Sequence, residues 1–109
     1  MALVESFRTT LTAGTMSETT AIEHLVDRQS KVNLCLYADS ANVRIKVKYV
    51  FDAGTPDEAA KDIKTIDLTS GTLELLNLDF PTGVIRVTYD DTGSSLSAAA
   101  LKIDLHTGG

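Results

Sequence analysis

Residues 43–51 read Val-Arg-Ile-Lys-Val-Lys-Tyr-Val-Phe, and their alternation decides the fold. Val43, Ile45, Val47, Tyr49 and Phe51 take one phase; Arg44, Lys46, Lys48 and Val50 take the other. This two-residue period belongs to a half-buried β-strand. The apolar phase is expected to enter a core and the basic phase to face solvent. The stretch also poses a question, because it sets three of the ten Lys and Arg residues on every second position of a chain whose net charge is −5.

The same alternation spreads in both directions. Upstream, Val32, Leu34, Leu36 and Ala38 oppose Asn33, Cys35 and Tyr37, and Asp39-Ser40-Ala41-Asn42 has the composition of a hairpin turn into the basic strand. Downstream, Ile63, Ile66 and Leu68 mark a shorter strand whose phase slips once, which predicts a bulge near Thr65. Ser70-Gly71 turns the chain into 72–78, where Leu75-Leu76 breaks the alternation. Ile85, Val87 and Tyr89 point inward on the next strand, with Arg86 and Thr88 outward. Ala99, Leu101, Ile103 and Leu105 point inward on the last, with Lys102, Asp104 and His106 outward. With 3–12 as a first strand, seven to eight strands separated by turn residues predict an all-β antiparallel sandwich, jelly-roll-like.

Helical content is expected to be one or two short turns at most. Thr55-Pro56-Asp57-Glu58 is a capping box with proline at the first helical position, so a turn or two over 56–61 is expected. Thr20-Ala21-Ile22-Glu23 has the same box, with Ile22, Leu25 and Val26 at helical spacing, so 19–26 reads as helical or extended.

Composition bounds the function. A chain of 109 residues is one domain, with residues 1–18 as an N-terminal strand or arm and 19–109 as the sandwich proper. A pI near 4.8 disfavours nucleic acid, whose binders carry a basic footprint. The single cysteine, Cys35, allows no intrachain disulfide. The first residues show neither a basic nor a continuous apolar region, and no apolar run is long enough to cross a bilayer. Synthesis in a cytoplasm without a signal peptide, and no membrane partner, are therefore expected.

No catalytic or metal motif is convincing. Asp91-Thr92-Gly93 spells the triplet of retroviral-type aspartic proteases, but it follows Tyr89-Asp90 near the end of the chain and reads as a turn. His24 and His106 have no paired ligand at zinc spacing, and nothing sets a base beside Cys35. Asp52, Asp57 and Glu58, or Asp90 and Asp91, lack a regular calcium-ligand spacing. The expectation is a non-enzyme with no cofactor and no metal.

The basic stripe then has two readings. It is a solvated face, its charges paired across strands with carboxylates such as Asp62, Asp67 or Glu74. Alternatively it is an interface, a positive stripe on an acidic protein that docks on an acidic neighbour or a second copy. The candidate interface comprises Arg44, Lys46, Lys48, Val50, Leu76 and Val84, the apolar members chosen because their phases face solvent.

From Thr19 onward the order of segments resembles the small β-sandwich modules among virion structural proteins of tailed bacteriophages. Ser30-Lys31-Val32-Asn33-Leu34-Cys35-Leu36 matches their "S-x-V-x-L-x-L" strand, and Pro81 to Val87 matches a later "P-x-x-x-I-R-V" segment. Many such modules carry a tryptophan after the basic strand, and this chain has none. The resemblance implies a virion component, such as a capsid decoration or cement protein or a small head or tail accessory, that acts by contacts with other virion proteins and with copies of itself. It also implies an extended conformation for 19–26, and it suggests that 3–12 could add to a neighbour's sheet edge. The competing reading is a carbohydrate-binding or host-attachment module, for which Tyr37 is the one aromatic placed to stack on a sugar.

Overall fold

The computed structural model describes residues 2–11, 17–26, 30–39, 43–52, 56, 59–91 and 99–107. They form eight strands: β1 (Ala2–Leu11), β2 (Thr19–Val26), β3 (Ser30–Ala38), β4 (Val43–Val50), β5 (Lys61–Asp67), β6 (Glu74–Phe80), β7 (Gly83–Asp91) and β8 (Ala99–Thr107). Two four-stranded sheets result, ordered β1-β8-β3-β6 and β2-β7-β4-β5, with every pairing antiparallel. The all-β sandwich expected from the alternation is the observed fold, and the strand order is that of a jelly roll.

Successive strands change sheet at every connection except β4 to β5. The expected hairpin between β3 and β4 is therefore not formed. Asp39 anchors the end of β3 instead. Its N–H donates to the Ala100 carbonyl at 3.3 Å, its carboxylate accepts from the Ala100 N–H at 2.8 Å, and its carbonyl accepts the Ser70 hydroxyl at 2.9 Å. These bonds hold the end of β3 against β8 and the β5–β6 turn, and Ser40, Ala41 and Asn42 lie outside the described residues. Gly71, with a positive φ of 70°, completes that turn by donating to the Ala38 carbonyl.

The core is what the alternation predicted, phase by phase. Val32, Leu34, Leu36 and Ala38 face Val43, Ile45, Val47, Ile85 and Val87 across the sandwich, and Leu101, Ile103 and Leu105 complete the inner face of the first sheet. Each such side chain taken from water contributes roughly 1.5–3 kcal/mol, which is why a chain without disulfides can hold two sheets together. Phe80 is fully buried, and its ring meets Tyr49 at 5.7 Å between centroids. Phe51 corrects the expectation at the strand's end. β4 stops at Val50, so Phe51 leaves the inward phase and is 79% exposed.

Three further details differ from expectation or decide an alternative. Residues 19–26 are extended, and their pairing with β7 supplies the bonds that a helix would have made internally. The bulge expected near Thr65 is present on β5 and falls at Ile63, because Val47 pairs with Lys64 and Lys48 with Asp62. Residues 2–11 pair with β8 inside this chain, so that side of β1 is used within the sandwich. Near the expected helical turn, the Ala59 N–H donates to the Pro56 carbonyl at 2.9 Å; Thr55, Asp57 and Glu58 lie outside the described residues. No helix among the described residues is long and apolar enough to cross a membrane.

Candidate interface on the charged sheet face

The outer face of the β2-β7-β4-β5 sheet answers the question raised by residues 43–51. Register sets Val50 beside Val84, Lys48 beside Arg86, Lys46 beside Thr88 and Arg44 beside Asp90 on the two central strands. The flanking strands bring carboxylates: Glu23 of β2 opposite Arg86, and Asp62 and Asp67 of β5 opposite Lys48 and Arg44. Glu18, just before β2, reaches over the same face. Cations thus occupy the middle of the sheet and carboxylates its margins, the arrangement in which cross-strand attraction outweighs like-charge repulsion.

The contacts are close. Lys48 Nζ lies 2.6 Å from Glu18 Oε2, which also accepts the Thr88 hydroxyl at 2.6 Å, and Asp62 stands 4.0 Å from the same ammonium. Arg86 donates from Nε to Glu23 Oε2 at 2.5 Å and places Nη2 at the same distance. Arg44 holds Asp67 through Nε at 2.8 Å and Nη2 at 3.4 Å. Lys46 acts at longer range on Glu18 and Asp90.

Electrostatics follow from these contacts. Burial works to raise the Glu18 pKa, yet the hydrogen bonds from Lys48 and Thr88, with the charges of Lys48 and Lys46, hold it below the ordinary value. The Arg44 hydrogen bond holds Asp67 low as well. Asp90 goes the other way. Burial raises its pKa, the Glu18 and Asp91 charges add to that, and Lys46 and Arg44 oppose without prevailing. Its Oδ1 is buried with no hydrogen-bond partner among the described residues.

The six residues nominated from the sequence are therefore placed differently from one another. Arg44, Lys46, Lys48, Val50 and Val84 share this face, but Lys48, Val50 and Val84 are buried, not solvent-facing. Lys48 is covered because its ammonium is engaged by Glu18, a residue that alternation within β4 could not reveal. Leu76 sits on the other sheet with its side chain half-buried against the core, and its neighbour Leu75 takes the outward phase, 67% exposed. Of the carboxylates named as pairing partners, Asp62 and Asp67 serve and Glu74 does not, since β6 belongs to the first sheet. Arg86, Thr88, Glu18 and Glu23 are the members missed. For Arg86 and Glu23 the signal was opposite charge on outward phases of β7 and β2; Thr88 is neutral and Glu18 precedes β2, so neither carried that signal.

The first sheet's outer face is mixed. Arg8 and Ser6 bind Asp104 at 2.7 and 2.9 Å, Lys31 binds Asp79 at 2.7 Å, and Lys102 Nζ stands 5.8 Å over the Tyr37 ring. Tyr37 is half-buried under that ammonium, not a free stacking platform. Asn33, Cys35, Leu75, Asn77 and His106 line a shallow depression. Asp91 of the protease-like triplet is buried at the end of β7 opposite Val43, with Thr92 and Gly93 outside the described residues. Among the described residues no three His, Cys, Asp or Glu side chains gather as a metal site would require.

No protein-family model matches the chain, and no curated protein matches it. A solved structure described as that of infectious bursal disease virus, Gx strain, is similar over 94% of this chain at 15% identity, with a TM-score of 0.48. This chain spans 29% of that one.

Proposed function

We propose that the protein is a non-enzymatic virion structural component that acts by subunit contacts, most specifically a capsid decoration or cement protein or a small head or tail accessory. The observation that carries the reading is the jelly-roll order of the two sheets, an architecture used for capsid domains as well as lectins. Fold alone does not set function, so the surfaces bear the rest. Arg44 and Lys48 of the basic stripe are engaged in internal ion pairs, while large apolar side chains stand outside the core: Phe51, Leu75, Leu25, Leu73 and Leu3. Such side chains on the surface of a stably folded domain suit contact with neighbouring subunits. The resemblance to tailed-phage modules supports the finer assignment.

A decoration protein that binds the assembled shell and not its free subunits stabilises that shell by mass action. Particles lacking the chain should then disassemble at a lower temperature, and purified protein should restore the difference. Unchanged particle stability, together with specific retention on a saccharide array, would favour the carbohydrate-binding module instead.

A further inference from the structure

The two sheets have four edge strands, β1 and β6 in one and β2 and β5 in the other. Three of them carry one extra residue against their partner: Val4 in β1, Ala21 in β2 and Ile63 in β5. Bulges of this kind twist an edge and discourage further pairing. β6 has none. Its register with β3 runs unbroken from Glu74 opposite Leu36 to Phe80 opposite Ser30. Its seven residues, Glu-Leu-Leu-Asn-Leu-Asp-Phe, contain no lysine, arginine or proline to blunt it.

We propose that β6 is an assembly edge that pairs antiparallel with β6 of a second copy, about a two-fold axis at Asn77. The strand is self-complementary in that register. Asn77 meets Asn77 of the second copy, Leu76 meets Leu78, Leu75 meets Asp79 and Glu74 meets Phe80, so no two like charges stand directly opposite. The inward side chains Leu76 and Leu78, which this chain leaves half-covered, would be closed over by each other across the axis. Leu75, exposed on the outer face, gains the far strand as a neighbour. The acidic charge nearest the axis is already matched, because Lys31 holds Asp79 at 2.7 Å. The dimer would carry a continuous sheet of four strands from each copy.

The pairing does not depend on the virion role, and its test is separate. Sedimentation equilibrium of the full chain up to millimolar concentration should show a species of twice the 11.7 kDa chain mass. Asn77→Lys, which sets two ammonium groups against each other at the axis while altering one exposed side chain, should return it to monomer with an unchanged circular dichroism spectrum. In a Cys35→Ser background, Asn77→Cys should join two copies through a disulfide or a short thiol crosslinker, whereas Asp79→Cys, which meets Leu75 in this register, should not. A strict monomer, a dimer indifferent to Asn77→Lys, or equal crosslinking at 77 and 79 would overturn the proposal. Dimerisation without any particle binding would uphold it and count against the virion reading alone.

Discussion

The Lys48 ammonium lies 2.6 Å from the Glu18 carboxylate, and only 5% of the lysine side chain is exposed. Thirty positions separate the two residues, with β2 and β3 between them in the chain and β7 between β2 and β4 in the sheet, so the pair is a product of the tertiary fold. It converts a basic stripe into the centre of a matched charge layer.

Glu18→Gln should therefore destabilise the fold. Removing the carboxylate charge takes away the contact at 2.6 Å and leaves Asp62, at 4.0 Å, as the more distant carboxylate beside the same ammonium. Loss of a charge-assisted hydrogen bond to a lysine that stays buried predicts a cost of about 1.5–3 kcal/mol by urea unfolding. Arg44→Ala, which breaks the more exposed Asp67 pair, should shift the midpoint less. The reverse ranking would refute the picture of a layer anchored at Lys48.

Acid should weaken the protein through the same groups. Glu18 and Asp67 titrate below their ordinary values of 4.5 and 3.8, so the folded state prefers their ionised forms. Their contribution is complete above the ordinary carboxylate values and is lost as pH falls from there down through the lower values that the fold imposes. Glu18→Gln should flatten the acid limb of a melting-temperature profile. A limb as steep as the parent's would show that other carboxylates carry the effect.

Asp90 has the opposite sign. Its raised pKa means that the fold prefers the protonated form, so its charge opposes stability at neutral pH and ceases to do so in acid. Asp90→Asn should raise the melting temperature at pH 7, with the gain disappearing at pH 3. A loss at neutral pH would mean that attraction to Arg44 and Lys46 outweighs burial.

Of the two described glycines with positive φ, Gly83 is the one whose missing side chain leaves room for a neighbour. Its φ is +151°, and an added Cβ would collide with the Tyr49 ring, whose hydroxyl donates to the Thr82 carbonyl at 3.0 Å. Gly83→Ala should cost about 2 kcal/mol in thermal or urea unfolding, with the steric clash and the backbone strain adding together. Tyr49→Phe keeps the ring and loses one hydrogen bond, so it should cost about 1 kcal/mol.

The legible part of this fold was whatever depended on period two. β3, β4, β7 and β8 each bury the phase that alternation assigned, because both sheets need one apolar face. Sheet membership was not legible. Asp39 to Asn42 has hairpin composition, yet β4 pairs with β5 and β7 in the other sheet, while Asp39 stays bonded to Ala100 of β8 and to Ser70. The outward phase was also misread. Lys48, Val50 and Val84 are outward in phase but buried, since burial there depends on partners such as Glu18 that are distant in sequence. Leu76 was misassigned because two adjacent leucines leave the phase open, and only pairing of Leu76 with Leu34 of β3 decides it.

The proposed virion role requires the chain to be part of a particle. The direct measurement is quantitative mass spectrometry of gradient-purified particles from cells carrying the gene, with antibody against the chain to follow each fraction. Co-banding at a fixed ratio to the major shell protein, maintained through a second gradient, is the predicted result. A chain that stays at the top of the gradient while the particles sediment complete and equally stable would contradict it.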